Sequence, residues 1–497
     1  MGIIIRQSIQ NTVISYVGIA LGFVSTILLF PNILNTEQFG LTRLLLSVGL
    51  ICVQVSQLGM KNVIIRYFPY YQRSKESGYR LLSLATGISF LGFLLFTLLL
   101  FLFKDTLVSF YSDESDLFSD YVFYLIPLVF AILFFEVLNS YVRALKDSVT
   151  GSVVNEVVVR VLIISLLLIY AFDLLTFKAF MAFFVGIYCI QPVYMLIHLA
   201  RKKKLGFSLP FQSETRRLYK GMGVYGFYSV LGGLATLMVG NIDIIMLGSM
   251  VGVGSAAIYA IAFYMGTVIA VPQRSINKIA APLIADFFKE KKYREIETLY
   301  KRTALNQLIA GSLLYIGIWA NLHNIIDLLP SEYVGIYWVV VILGLAKLFD
   351  MATGINGHII INSRHFRFDL YTNVLLAVLT VVTNYFLIPF YGLEGAALAT
   401  ALSIFIYNFV KFIFVWVKFN MQPFQLNAVW ILIIAGICLL IAEQIPYMIN
   451  FFVDVTVRSL TILLLFTSAI ILFRLSDDFL NLAAESLKRL KILLTRE

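Results

Sequence analysis

Residues 82–103 read LSLATGISFLGFLLFTLLLFLF, 22 positions without a charged side chain. At about 1.5 Å of rise per residue, a helix of that length crosses the ~30 Å hydrocarbon core of a bilayer. A helix that is apolar all round needs an apolar solvent, and this stretch therefore sets the environment of the chain. Working outward from it, comparable runs recur toward both ends. They lie at 11–30, 41–65, 120–142, 151–171 and 177–199, then at 221–246, 254–276, 304–322, 333–360, 368–389, 394–417, 427–443 and 453–474. With 82–103 they make fourteen spans within 497 residues, which leaves no room for a soluble domain of ordinary size. The runs are too long and too evenly apolar for barrel strands, and open sheet edges cannot sit in lipid. The expected fold class is an all-α polytopic membrane protein with about fourteen transmembrane helices.

Composition agrees. Hydrophobic residues make up 60% of the chain and charged residues 13%, about half the roughly 25% of a soluble domain. The net charge of +10 is carried by links between apolar runs, so it reads as a topology signal rather than a nucleic-acid footprint. One set of links holds Arg73, Lys75 and Arg80; Arg143 and Lys146; Arg201 to Lys204 with Arg216, Arg217 and Lys220. The same set continues through Lys289, Lys291, Lys292 and Arg294, then Arg364 and Arg367, and ends on Lys488, Arg489, Lys491 and Arg496. The alternate links are poor in Lys and Arg, and one is acidic through Asp113, Glu114, Asp116 and Asp120. An even number of spans with both termini on the basic side places both termini in the cytoplasm. The N-terminal run resembles a signal peptide but merges into a full-length span with no small-residue cleavage site, so it is read as a retained first helix. Cys52, Cys189 and Cys438 all fall inside spans and suggest neither a disulfide nor a metal cluster.

Residues 200–220, ARKKKLGFSLPFQSETRRLYK, form a long basic link after the sixth span. The expected organisation is a six-helix lobe over 1–199, the linker 200–220 and a second six-helix lobe over 221–418. A two-helix hairpin over 419–474 and an amphipathic cytoplasmic tail over 475–497 complete it. Such halves around a central site are common in transporters. The stretch 281–302, APLIADFFKEKKYREIETLYKR, reads as a cytoplasmic surface helix continuing from the eighth span.

Charged residues inside the apolar runs carry the functional reading, because a cation in hydrocarbon is costly unless it meets a partner, a cavity or an anionic ligand. Arg160, in NEVVVR, stands near the centre of the fifth span, with Glu156 one turn earlier on the same face. Lys347, in GLAKLFD, stands near the centre of the tenth, with Asp350 three residues on. Each is either half of a local ion pair or a cavity cation able to hold phosphate oxygens. Arg43, Arg66 and Arg274 lie near span ends as further substrate-binding candidates. Glu136, Glu156, Asp243 and Asp350 are the coupling or ion-pair candidates. Gly18, Gly22, Gly232, Gly233, Gly354 and Gly357 permit close packing or bending, Gly395 offers a compact helix start, and Pro127 and Pro192 are candidate kinks. The chain has no Gly-rich nucleotide loop and no Rossmann fingerprint. Its four histidines, His198, His323, His358 and His365, have no metal-ligand spacing, and no Ser/His/Asp grouping is visible. An enzyme is not indicated, nor a metal or other cofactor beyond a Na+ or H+ coupling ion.

Three stretches resemble a known family: 11–47 with 58–69 (LGMKNVIIRYFP), 241–287 (beginning NIDIIMLGSMVGVGSAAIYA) and 391–403 (YGLEGAALATALS). They are similar to the bacterial polysaccharide-unit flippases, called Wzx-type or polysaccharide biosynthesis export proteins. That family lies within the superfamily of multidrug, oligosaccharidyl-lipid and polysaccharide exporters. The resemblance implies two six-helix lobes facing an alternately opened cavity, in the bacterial cytoplasmic membrane. It implies a polyprenyl-diphosphate-linked oligosaccharide as cargo, membrane lipids around it, and a glycan polymerase or assembly complex as a neighbour, in surface polysaccharide (lipopolysaccharide, O-antigen) synthesis. A multidrug/cation antiporter, a lipid-linked peptidoglycan-precursor flippase and a nontransporting scaffold of a glycan-synthesis complex remain the alternatives. In this reading Arg160 and Lys347 receive the diphosphate from two sides of one hydrated chamber.

Overall fold

The computed structural model describes residues 2–71, 75–111, 117–206, 208 and 216–480. Beyond position 480 the tail lies outside the described residues, as do Arg73, the acidic positions Asp113, Glu114 and Asp116, and linker residues 209–215. Among the described residues, eleven helices are long and apolar enough to cross a membrane, or up to thirteen if each of two bent pairs is one span. In chain order these are α1 Gln10–Ile33, α2 Thr36–Ser56, α3 Gly78–Ser109, α4 Leu117–Ala144, α5 Val149–Ala171, α6 Phe177–Arg201 and α7 Leu218–Met250. There follow α8 Val253–Ile269 with α9 Val271–Lys289, bent by 46°, then α10 Tyr293–Ala320, and α11 Ile336–Ala352 with α12 Asn356–Asn362, bent by 47°. The last three are α13 Arg367–Phe419, α14 Leu426–Glu443 and α15 Phe451–Leu472.

Helix α13 has 53 residues, roughly 80 Å at helical rise, more than twice a bilayer core. It is two spans. Gly392 breaks it with φ 54° and ψ −125°, a backbone conformation open to glycine. On either side the chain runs antiparallel, for Asp369 bonds Lys411, Asn373 bonds Tyr407 and Thr383 bonds Ser403. Dividing α13 there raises the thirteen spans to the fourteen read from the sequence. The reversal uses Gly392 rather than Gly395, which lies inside the second half. Pro127 is no kink either; it sits in the first turn of the regular segment Leu125–Ala144, after a 3-10 turn over Val122–Tyr124. The surface helix expected over 281–302 does not form as one element. Residues up to Lys289 complete α9, Lys291 turns the chain with φ 57°, and the rest begins α10.

Contacts divide the chain into two units. The first holds residues up to Ile261 together with Asn384–Gly392. The second holds Ala262–Thr383 and Leu393 onward. In unit 1, α4 packs against α6, α2, α3 and the short helix Met60–Tyr67, while α7 packs along α2. Side chains such as Leu94, Leu98 and Leu102 on α3 stay exposed, as a lipid-facing surface requires. Lipid gives no hydrophobic drive for helices to meet, so close backbone approach and polar contacts hold them. A Cβ on Gly40 would lie 1.9 Å from the Val253 carbonyl oxygen, and one on Gly92 2.0 Å from that of Ser56. Gly92→Ala (G92A) therefore forces α3 away from α2, and an overpacking cost of about 1–3 kcal/mol is expected. A thermal melt in detergent with an unchanged midpoint would contradict that approach. Asn35 starts α2 with a capping box, its side chain accepting from the Gln38 amide at 2.8 Å.

Outside the membrane, the link between α4 and α5 is pinned through Asp147, which accepts from Lys202 at 2.7 Å and meets His198 at 3.1 Å. Burial raises the Asp147 carboxyl, but hydrogen bonds from Lys202 and Thr150 outweigh it and hold it at about 2. Unit 2 is built around α10, which packs against α9, α11, α14 and α15. One apolar core joins Leu308, Ile316 and Met351 to Ile431, Cys438, Ile462 and Phe466, so the final hairpin is bound into this unit.

Candidate functional site

Two turns wider than α-helical shape the charged region of unit 1. Helix α1 carries a π-turn at Val24–Leu29, and α5 carries one at Val154–Val158. Each lies against the partner helix. Such turns are frequent at functional sites. Glu156 stands in the second, and Arg160 follows it. Arg160 donates through Nη2 to Glu156 Oε2 at 3.0 Å and through Nη1 to the Gly18 carbonyl. Gly18 is needed there, since a Cβ would come within 2.8 Å of Glu156 Oε2. The pair is not sealed, for the side chains remain 28% and 32% exposed.

Arg43 stands on α2 with its guanidinium 4.6 Å from the Phe30 ring centroid and 4.8 Å from that of Phe39. These two rings are stacked on each other, and Arg43 also reaches Thr26 at 3.5 Å. Arg43 on α2 and Arg160 on α5 both belong to unit 1. This grouping in unit 1 was only half legible, because Arg43 reads from the sequence as an end-of-helix residue. Arg66 lies 4.3 Å from the Tyr225 ring, and Glu136 pairs with Lys61 at 2.7 Å.

Asp243 on α7 is fully buried. Its Oδ2 accepts from Tyr259 at 2.5 Å and its Oδ1 from the Asn384 amide at 2.6 Å. The Asn384 carbonyl oxygen is buried without a hydrogen-bond partner. A buried carboxylate next to an orphaned amide oxygen offers oxygen ligands of the kind a monovalent cation or a proton takes.

In unit 2 the polar groups gather in a cavity of about 270 Å³ near the bend between α11 and α12. Asp350 accepts from the side-chain amides of Gln273 at 3.0 Å and Asn408 at 2.8 Å. Gly354 makes the bend with φ 63°. Across the cavity Lys411, only 3% exposed, pairs with Asp369 at 2.6 Å and donates to the Tyr407 hydroxyl, which donates to Asn373 at 2.9 Å. His358 also lines the space. Gly357 keeps it open, because a Cβ there would lie 3.3 Å from Lys411 Nζ. With two carboxylates, one ammonium and five amide side chains, it is chemically a hydroxyl- or cation-binding site rather than a phosphate site. Lys347 lies elsewhere, its ammonium 5.6 Å from the Phe263 ring centroid, and Arg274 is exposed on α9.

The rule that singles out Arg160 and Lys347 reaches further than the residues named by it. Lys411 stands inside the apolar run YNFVKFIFVW, and Arg458 inside the last span with Asp454 four residues before it. Both are buried ion-pair members that the sequence reading does not name. Asp369 has no such signal, since it reads as a helix-start residue beside Arg367. Among the described residues, no group of three or more His, Cys, Asp or Glu is placed to hold a metal ion.

The arrangement is that of an all-α, multi-pass membrane protein. Aligned on solved structures, the chain is similar to the lipid II flippase MurJ in its inward closed conformation, with a TM-score of 0.73 and 12% identity over 95% of this chain and 99% of that one. It is also similar to a multidrug resistance MATE family transporter in an inward-facing conformation, with a TM-score of 0.65 and 16% identity over 82% of this chain and 94% of that one. At these identities the likeness is one of fold. In sequence, residues 4–288 match the family described as polysaccharide biosynthesis protein, and the chain belongs to that family. An uncharacterized membrane protein of Methanocaldococcus jannaschii is 25% identical over 434 residues, 82% of each chain.

Proposed function

We propose that this protein is an alternating-access flippase that carries a lipid-linked glycan precursor across the cytoplasmic membrane. The observation that carries this reading is the likeness to the lipid II flippase over nearly the whole chain. Membership of the polysaccharide biosynthesis protein family points to the same class of cargo. The working layout is two six-helix lobes, 1–199 and 221–418, joined by the linker 200–220 and followed by the hairpin 419–474, with both termini cytoplasmic. The cargo has a long apolar tail that stays in lipid, an anionic diphosphate and a sugar head group. Arg160 and Arg43 in unit 1, and Lys347 in unit 2, are each candidates to bind the diphosphate, and the amide-rich cavity of unit 2 at Asp350 and Lys411 suits sugar hydroxyls. Asp243 and Asp350 are the groups through which a Na+ or H+ gradient would couple. No covalent step is required.

Two cargoes compete. The family description favours a polyprenyl-diphosphate-linked oligosaccharide unit for surface polysaccharide, whereas the higher TM-score to the lipid II flippase than to the multidrug transporter favours a peptidoglycan precursor. Both can be offered as labelled lipids to purified protein in liposomes, with exposure on the opposite leaflet as the readout. Movement of at least one of them is the expected result, and movement of neither would remove the flippase reading. Arg160→Ala (R160A) and Lys347→Ala (K347A) are expected to slow that movement at least tenfold each, since one charge-assisted hydrogen bond is worth about 1.5–3 kcal/mol. Normal rates in the double variant would exclude both residues from the binding site.

A further inference from the structure

A second pocket lies at the basic-loop end of unit 2, apart from the cavity at Asp350. It has a volume of about 410 Å³ and is lined by Phe288, Tyr293, Ser363, Arg364, Lys418 and Phe419. Three chain reversals meet there: the turn at Lys291, the end of α12 at Ser363 and the end of α13 at Asn420, where φ is 55°. Beneath them a compact core of Ile284, Ile296, Tyr300, Ile359, Val415 and Met421 holds the three segments together. The walls are fixed by ring contacts. Phe288 meets Phe419 at 5.9 Å and Tyr293 at 6.2 Å, and Phe368 stacks on Phe414 at 3.8 Å. Ser363 is held as well, accepting from the His365 amide at 3.0 Å and donating to the Ile360 carbonyl at 2.8 Å.

The charge in this pocket is one-sided. Arg364 is oriented by a hydrogen bond from its Nε to His365 at 3.1 Å, which leaves its two terminal amino groups facing outward from that contact. Among the described residues, neither Arg364 nor Lys418 has an ion pair with a carboxylate. Two cations and aromatic walls suit a phosphate group with organic substituents. The place of the pocket decides the source of that phosphate. Lys418 and Phe419 stand in the last turn of α13, and Ile413, Trp416 and Val417 on the turns before them are 39%, 51% and 70% exposed, as on a lipid-facing helix. The pocket therefore lies at the end of a membrane helix, where anionic head groups gather.

We propose that this pocket binds the head group of an anionic phospholipid, with its phosphate between Arg364 and Lys418 at the end of α13. Basic pockets between membrane helices hold anionic head groups in this way. The site is independent of the transported cargo and stands whether or not the flippase reading holds.

The full-length protein in phosphatidylcholine nanodiscs, titrated with phosphatidylglycerol and read by native mass spectrometry, tests this. Wild type is expected to retain phosphatidylglycerol in preference to phosphatidylcholine. Arg364→Gln and Lys418→Gln should each weaken that retention about fivefold, and together about 30-fold. Both side chains are exposed, so their loss leaves the core beneath untouched. Equal retention by the double variant and wild type would overturn the proposal. In a second arm, inorganic phosphate is added at millimolar concentration. Loss of the bound lipid to it would make free phosphate the ligand and overturn the assignment to lipid, while retention supports it.

Discussion

Arg458→Ala (R458A) should destabilise unit 2 by about 3–5 kcal/mol, the cost of stripping one partner from a buried ion pair. Asp454 is fully buried, and Arg458 is 1% exposed. The guanidinium donates to Asp454 at 2.8 Å and to the carbonyls of Ala442 and Ile445 at 2.7 Å each, and it lies 4.9 Å from the Tyr447 ring. Asp454 accepts further bonds from Asn324 at 2.5 Å and from the Met448 amide at 3.1 Å. One pair therefore ties α15 to the turn before it and to the segment after α10. Alanine strips the guanidinium from two carbonyls and leaves a buried carboxylate held by neutral donors alone, without its counter-charge. Replacing both members, as Arg458→Met with Asp454→Leu, should recover most of the loss, because the buried charge then disappears as well. Thermal melts of the purified protein compare the three variants. A single variant that melts with wild type would show that water reaches this pair.

Asp243→Asn (D243N) should abolish coupling while leaving the fold in place. The amide keeps the size of the carboxylate and can still meet Tyr259 and Asn384, which hold it at 2.5 and 2.6 Å. The charge that would balance a cation or proton is lost. A coupling free energy of 1–3 kcal/mol corresponds to about 5–150-fold in affinity. Transport by the variant is thus expected to lose its dependence on an imposed Na+ or pH gradient and to fall at least fivefold. Undiminished gradient-driven transport would move the coupling role to another carboxylate, Asp350 first.

Much of this architecture was legible, and for a plain reason. In lipid every backbone polar group must be bonded within the segment, so long apolar runs leave only helices. The fourteen runs, down to the short one at 427–443, all become helices. Bends were less visible. Gly354 and Gly392 look like many other glycines in the sequence, and only the surrounding packing selects them for positive φ. The site divides the same way. A charge inside an apolar run announces itself, and Arg160, Glu156, Asp243 and Asp350 all prove to be bonded. Its partner does not. Spacing offers Asp350 to Lys347, but no spacing announces Gln273 and Asn408, distant in sequence, which donate to it. A cavity assembled from segments far apart in sequence leaves no periodic trace, which is why the grouping of Asp369, Tyr407 and Lys411 emerges only from the fold.

The π-turns of α1 and α5 carry a consequence for how relatives are aligned. A turn with one extra residue rotates everything after it by about 100° around the axis, one residue's worth of helical phase. Arg160 follows Val158, the last residue of such a turn, so its azimuth is set by what amounts to a single inserted residue. Helical wheels drawn for a homologue without that insertion would display the matching arginine about 100° away around the axis. Gain or loss of one residue near position 156 is therefore a route by which this lineage could re-aim a charge without changing its identity.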